Sequence, residues 1–387
     1  MAPLIPSPDT VILITGINGY IGSNIGLLLL SQGYSVRGTS RSASAKDRLL
    51  AGPFAPYTST YQHTLVPDIT APSAFDTAVH GVHAIIHTAS PVDFSLTTLE
   101  AFTGPAIQGV LFILHSALQH AGPQLRSFVL TSSIAAAVDR WTHPFGTPYA
   151  YSESDWNVNS TLVASDPTTF SPPIAYGASK TQAERALWSF SSSSSATASP
   201  HFACSAILPG VVMGPPVLLP ASPRGLNLTL QPIWALYSGE ATAMPAQIGG
   251  AAWVDVRDVS ALHAWCATHP DESGGQRYLC ASGTAPPQAI ADLLRVRFPE
   301  RGVLVGEPGR GYVEGWGWVP ETKGGQSADS AKARGVLGSG YRWKGFEEMV
   351  LDTVGVLEGR WPGRAGSFRR DGSGGGEGGG EGEGGNA

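Results

Sequence analysis

Apolar residues in the first half of the chain follow two alternating rhythms. Short runs rich in β-branched side chains recur at Val11–Thr15, Tyr34–Thr39, Thr64–Val66, Ala84–Thr88, Phe128–Thr131 and Cys204–Leu208. Longer stretches with helical spacing, at Ile21–Leu30, Pro105–His120 and Tyr176–Phe190, fall between them. Runs of the first kind read as strands buried on both faces, and their alternation with helices predicts a parallel sheet covered on each side. The expected fold is therefore α/β, a Rossmann-like doubly wound sheet.

After Leu208 the pattern loosens into Pro- and Gly-rich stretches, which predicts a smaller lobe covering a substrate. We assign residues 1–208 to the sheet domain, with 251–266 returning to it, and 209–250 and 267–362 to the lobe. The serine run Ser191–Ser195 reads as a surface loop. From about Gly363 glycine and glutamate dominate, so residues 363–387 cannot bury enough apolar surface to offset their ordering entropy and read as a disordered tail.

Composition narrows the function. The 387 residues carry 30 acidic and 24 basic side chains and no basic run beyond Arg369–Arg370, which argues against a nucleic-acid partner. No charged segment precedes an apolar stretch at the N-terminus, and no apolar run approaches the roughly 18 residues of a membrane span. A cytoplasmic, membrane-free protein is expected. Three widely spaced cysteines form neither a disulfide framework nor a zinc motif. His83 and His87 share a strand face but lack a third ligand, so core histidines are expected and no metal. There is no Gly-x-Ser-x-Gly elbow for a hydrolase.

The chemistry begins at Thr15-Gly16-Ile17-Asn18-Gly19-Tyr20-Ile21-Gly22, between the first strand and the first helix. Glycines at 16, 19 and 22 allow a tight turn, close approach of a pyrophosphate and helix-on-strand packing. An NAD site usually carries an acid at the end of the second strand, yet none occurs between Ser23 and Lys46. Arg41 stands there instead, with Lys46 and Arg37 able to share the contact, and a guanidinium suits a 2′-phosphate. NADP(H) is the expected cofactor. Asp68, after the third strand, is placed either to meet adenine or to cap a helix.

Tyr176-Gly-Ala-Ser-Lys180 opens a helical stretch, so both side chains lie on one face. A phenol is a poor proton donor at neutral pH, and an adjacent ammonium should lower its pKa. A hydroxyl from Ser133, at the end of Phe128–Thr131, would polarise a carbonyl oxygen as charge develops there. Ser132 competes for that role, because neighbouring strand residues face opposite ways.

Together these motifs resemble the extended short-chain dehydrogenases/reductases. His87-Thr88-Ala89-Ser90-Pro91, Pro105-Ala-Ile-Gln-Gly109, Glu153-Ser-Asp-Trp156-Asn157, Leu208-Pro209-Gly-Val-Val-Met-Gly214-Pro215 and Val254-Asp-Val-Arg-Asp258-Val look like the dihydroflavonol reductase and yeast methylglyoxal/aldehyde reductase branch, over roughly residues 11 to 358. The resemblance implies NADPH-dependent reduction of a small aldehyde or ketone, with Ser133, Tyr176 and Lys180 catalytic. It implies that Thr15, Gly16, Gly19, Tyr20, Ile21, Gly22, Arg41, Lys46, Asp68, Thr88, Ala89, Ser90, Tyr176, Lys180 and Pro209 line the cofactor. Ile134-Ala135 stands where sugar-nucleotide dehydratases carry acids, which argues against a dehydratase. The stretches 144–148 and Gly315–Trp318 match nothing in the family. Alternatives are a nucleotide-sugar epimerase or hydroxysteroid-type dehydrogenase, and a non-catalytic NADP sensor, which would commonly lack the Tyr/Lys pair. A monomer and a homodimer are both compatible.

Overall fold

A computed structural model describes residues 2–193, 200–249, 252–313 and 325–362. The strands are β1 (Val11–Thr15), β2 (Ser35–Ser40), β3 (Tyr61–Leu65), β4 (Ala84–His87), β5 (Ser127–Thr131), β6 (Tyr149–Tyr151), β7 (Ala203–Pro209), β8 (Val211–Met213), β9 (Ala252–Asp255), β10 (Arg277–Cys280), β11 (Gly283–Thr284) and β12 (Gln326–Ala328). The helices are α1 (Tyr20–Ser31), α2 (Ser44–Leu50), α3 (Asp76–Val79), α4 (Leu99–His120), α5 (Asn159–Ser165), α6 (Pro172–Ser191), α7 (Gln231–Ser238), α8 (Val256–Thr268), α9 (Pro270–Ser273), α10 (Pro287–Arg297), α11 (Ala331–Leu337) and α12 (Phe346–Arg360).

Seven strands form one parallel sheet in the order β10-β7-β5-β4-β1-β2-β3. Its side chains alternate between two cores, as a pleated strand must. Ile12, Ile14, Ile86, Val129 and Ile207 pack with α1 and α8 on one face, while Leu13, Ile85, Phe128, Leu130 and Leu208 pack with α4 and α6 on the other. The strand order reverses between β1 and β4. A crevice must therefore open at the carboxyl ends of these two strands, the place where such sheets bind ligands.

Three boundaries differ from expectation. Helix α6 begins at Pro172 rather than Tyr176, because proline fits the first helical position, where no N–H is needed. Helix α4 begins at Leu99, six residues before Pro105, because Thr98 caps it and Leu99 and Phe102 bury into a small cluster with Ala175 and Ala178. Residues 277–280, expected in the lobe, form the edge strand β10 of the main sheet, paired with β7. A four-residue strand is too short to carry a readable period.

Helix α4 is also long and apolar enough, by length and composition, to cross a membrane, contrary to the expectation that no stretch would be. Here it packs lengthwise on α6 and the sheet, with half of its apolar window buried.

The lobe is built on a three-stranded sheet, β11-β9-β8, with α7, α10 and α12; of residues 251–266, expected to return to the sheet domain, only α8 packs on the main sheet, because β9 pairs with β8 and β11 instead. Its core is notably aromatic: Trp234, Tyr237, Trp253, Tyr312 and Phe346 are buried together. β12 pairs with β6. The glycine- and glutamate-rich tail, residues 194–195 of the serine run and the Gly315–Trp318 stretch lie outside the described residues.

Candidate active site

The glycine turn closes on itself by necessity. Gly16 has φ +65°, and a Cβ at Gly22 would come within 2.5 Å of the Gly16 carbonyl oxygen. Only glycine allows this turn to lie so close to the start of α1. Main-chain bonds from Ile17 N–H to the Thr39 oxygen and from Gly19 N–H to the Gly16 oxygen fix its shape. The first-turn amides of α1, at Tyr20, Ile21 and Gly22, have no intrahelical acceptor, and no acid lies in that turn. The donor set thus fits the pyrophosphate of a dinucleotide.

Thr15 joins β1 to the end of β4. The Thr88 hydroxyl donates to the Thr15 carbonyl at 2.6 Å, Ala89 N–H donates to Thr15 Oγ1 at 3.1 Å, and that same hydroxyl meets His87 Nδ1 at 2.9 Å. Burial, with Lys180 nearby, pushes His87 down to about 3, so its ring is neutral. His83 is half-buried and accepts from Val11 N–H at 3.2 Å. Both histidines are therefore occupied within the fold.

Tyr176, Ser133 and Lys180 meet at the same edge. Ser133 follows the last residue of β5 by two and caps a short 3-10 turn, Ile134–Ala136, through Ala135 N–H. Its hydroxyl stands close enough to the Tyr176 phenol to lower the phenol's pKa. The Lys180 ammonium lies 5.8 Å from the centre of the Tyr176 ring and donates to Ser90 Oγ at 3.1 Å. Ser132 behaves differently: its hydroxyl donates to the Glu184 carboxylate at 2.6 Å. The alternation expected at the strand end thus sends these two serines to different partners.

The electrostatics depart from the expectation that the lysine dominates. Burial raises the Tyr176 pKa above the phenol value, and the neighbouring Ser133 hydroxyl is what opposes it. Lys180 is itself desolvated and lowered to about 8. A buried ammonium is costly, and among the described residues this one has a neutral serine as its hydrogen-bond partner. Beside it lies a small pocket lined by Ser90, Thr131, Ser132 and Lys180 among others.

The remaining expected residues are scattered more widely. Arg41 is exposed just past β2, with no hydrogen-bonding partner among the described residues, and Lys46 is exposed on α2. Arg37 cannot share their work. Its guanidinium is spent on Gln62 Oε1 and on the carbonyls of Ala78 and His80, at 2.6–3.2 Å. The Asp68 carboxylate accepts from Thr70 N–H at 2.8 Å and the Thr70 hydroxyl at 2.7 Å, so it caps a turn rather than a helix. Tyr20 turns its hydroxyl towards the lobe, onto the Gly214 carbonyl at 2.7 Å, leaving only its main chain at the turn. Pro209 ends β7, buried beside Cys280 of β10.

Sequence reasoning missed two groups. Ser40, at the end of β2, donates to the Ser42 carbonyl at 2.8 Å, so it must accept from His63 Nε2 at 3.0 Å. Tyr61 in turn donates to His63 Nδ1 at 2.7 Å. This chain underpins the segment carrying Arg41. The second is Glu184, on the helix of Tyr176 and Lys180, whose only signal was an acid at helical spacing from Lys180.

Comparison with known proteins identifies relatives of the whole chain. The chain is 31% identical over 352 residues to aldehyde reductase 2 of Sporidiobolus salmonicolor, covering 89% of this chain and 95% of the relative. It is 30% identical over 361 residues to the NADPH-dependent methylglyoxal reductase of Saccharomyces cerevisiae, covering 90% and 99%. The crystal structure of yeast methylglyoxal/isovaleraldehyde reductase complexed with NADPH superimposes with a TM-score of 0.76 at 26% identity, over 91% of this chain and 99% of that one. Residues 12–281 match the NAD dependent epimerase/dehydratase family, and the chain belongs to that family.

Proposed function

We propose that this protein is an NADPH-dependent oxidoreductase that reduces the carbonyl of a small aldehyde or ketone to the alcohol, and can run in reverse. The observation that carries the reading is the string Ser133–Tyr176–Lys180–Ser90, gathered beside the glycine turn where the strand order reverses. Relatives named as NADPH-dependent methylglyoxal reductase and aldehyde reductase support it.

NADPH supplies the hydride when bound. In this reading the α1 amides and the glycine turn hold its pyrophosphate, Thr88, Ala89 and Ser90 line its path, and Lys180 holds the ribose hydroxyls. Arg41 and Lys46 meet the 2′-phosphate. Tyr176 passes its hydroxyl proton to the substrate's carbonyl oxygen, and Ser133 donates a hydrogen bond to that oxygen as negative charge builds. The positive charge of Lys180 favours the resulting phenolate. The raised pKa of Tyr176 keeps the phenol protonated, the form a reduction needs.

No specific observation favours an epimerase or a steroid dehydrogenase. A non-catalytic sensor would leave the serine, tyrosine and lysine assembled without a task. The reading includes a cytoplasmic protein working as a monomer or homodimer, without nucleic acid or membrane; light scattering after size exclusion reports the oligomeric state. The direct test follows NADPH oxidation across aliphatic, aromatic and polyketide-like aldehydes and ketones, with UDP-sugars as the contrasting class. Turnover of the carbonyls with NADPH is expected. Absence of turnover on every carbonyl, or turnover of UDP-sugars alone, overturns the reading.

A further inference from the structure

Helix α6 does not end its polar stripe at Lys180. One turn further on, Glu184 is completely buried. Its carboxylate takes the Ser132 hydroxyl at 2.6 Å, Arg277 Nε at 2.6 Å and Trp188 Nε1 at 3.2 Å. Arg277 comes from the sheet-edge strand β10 and is itself nearly enclosed. Its Nη1 reaches the carbonyls of Glu153 and Asp155 at 2.6 and 2.7 Å, and its guanidinium lies 3.7 Å from the centre of the Trp156 ring. The Glu153 carboxylate returns to β10 by accepting Leu279 N–H at 3.0 Å. Asn157, next in the chain, binds the turn behind Ser133: its N–H reaches the Ala136 carbonyl at 2.8 Å, and Nδ2 reaches that of Ala135 at 2.9 Å. The Glu153–Asn157 motif therefore braces the site without entering it.

A buried ion pair is a poor way to gain stability, because well-packed apolar residues would hold a helix as firmly. What it offers here is direction. Two adjacent serines follow β5, and only one of them is wanted at the reacting carbonyl. A carboxylate fixed on the sealed side captures the Ser132 hydroxyl through a short, charge-assisted bond. The peptide between the serines then has one orientation, with Ser133 turned to Tyr176.

We propose that Glu184 is a positioning residue for carbonyl reduction: by holding the Ser132 hydroxyl, and by clamping α6 to β10 through Arg277, it sets the orientation of Ser133 against Tyr176. The proposal rests on the reading of Ser133 given above. It acts through geometry, and small displacements of a polarising group are costly to rate.

The test is a double-mutant cycle in the full-length enzyme, with NADPH and an aldehyde it turns over. Ser132→Ala removes the link while leaving the Glu184–Arg277 pair intact, so it folds even if Glu184→Gln does not. We expect Ser132→Ala to lower kcat by roughly tenfold, with the KM for NADPH and the Tm near wild type. In a Ser133→Ala background, neither Ser132→Ala nor Glu184→Gln should lower kcat further, since the group they position is gone. Wild-type kcat in Ser132→Ala, or the same fold loss in both backgrounds, overturns the proposal. A Ser133→Ala enzyme with full activity overturns the site reading itself, and the proposal falls with it.

Discussion

The sheet edge and the lobe above it are built from different materials. At the sheet edge, polar groups are committed one by one: Thr15 to Thr88, Ala89 and His87, Lys180 to Ser90, Ser132 to Glu184, Ser133 to Ala135. In the lobe the walls are large and apolar, and the buried indole N–H groups of Trp234 and Trp253 have no partner among the described residues. A pocket there is lined by Val211, Met213, Trp253, Ile290 and neighbours. A site whose donors are tied to strand ends has one geometry, suited to chemistry common to all substrates. A lobe shaped by packing can be reshaped by single side chains, which suits it to select among substrates.

The largest effect that would test this contrast is Tyr176→Phe. It should cost roughly a thousandfold in kcat for every carbonyl alike, while NADPH binding, followed by fluorescence, stays within about twofold, because only the proton donor is lost. A loss confined to some substrates would break the comparison. Ser133→Ala should lower kcat by about a hundredfold, again uniformly, as removing one polarising donor commonly does.

Arg41→Ala should weaken NADPH by roughly 10- to 150-fold, the loss of one charge-assisted contact, and leave NADH unchanged. The ratio of kcat/KM for the two cofactors measures this. A wild-type ratio below one removes the phosphate assignment, and a high ratio untouched by the mutation moves it to another residue.

A pH profile sharpens the electrostatics. Lys180 is lowered to about 8, so it carries its charge below that pH and loses it above. The rate of reduction should therefore fall by about tenfold per unit once pH rises well beyond 8, as the ammonium that favours the phenolate disappears. A rate flat to pH 10 would show that Lys180 stays charged with cofactor bound. The smallest effect belongs to the lobe. Trp253→Phe should change kcat/KM by roughly two- to tenfold, raising it for some carbonyls and lowering it for others, with kcat for the best substrate kept. A uniform loss instead would give the lobe a share in the chemistry.

Much of the sheet could be read from local signals. Val11–Ile14, Ala84–Ile86 and Phe128–Leu130 are unbroken apolar runs because both faces are covered, so burial shows in the run itself. Glycines 16, 19 and 22 stand where backbone crowding demands them, a constraint within a few residues. The Tyr176 and Lys180 pairing needs only the rise of a helix. Strand β10 and the helix start at Pro172 were not legible, since the first depends on pairing with β7 and the second on a Ser-Pro-Pro stretch that reads as a breaker.

The sequence by itself determined which residue types stand at which local spacing: the turn, the strand runs, the helix face and the missing acid after β2. Only the tertiary structure decided what each group spends its hydrogen bonds on. Arg37 and Arg41 are alike in sequence, yet one is consumed by β3 and the end of α3 while the other has no hydrogen-bonding partner among the described residues. Ser132 and Ser133 are adjacent and identical, and residues 52 and 43 positions further on separate them, Glu184 taking one while Tyr176 stands beside the other. Burial then raises the phenol and lowers the lysine, against what their spacing alone suggests. Hydrogen-bond partners and desolvation come from elements far apart in the chain, and a local pattern carries no information about them.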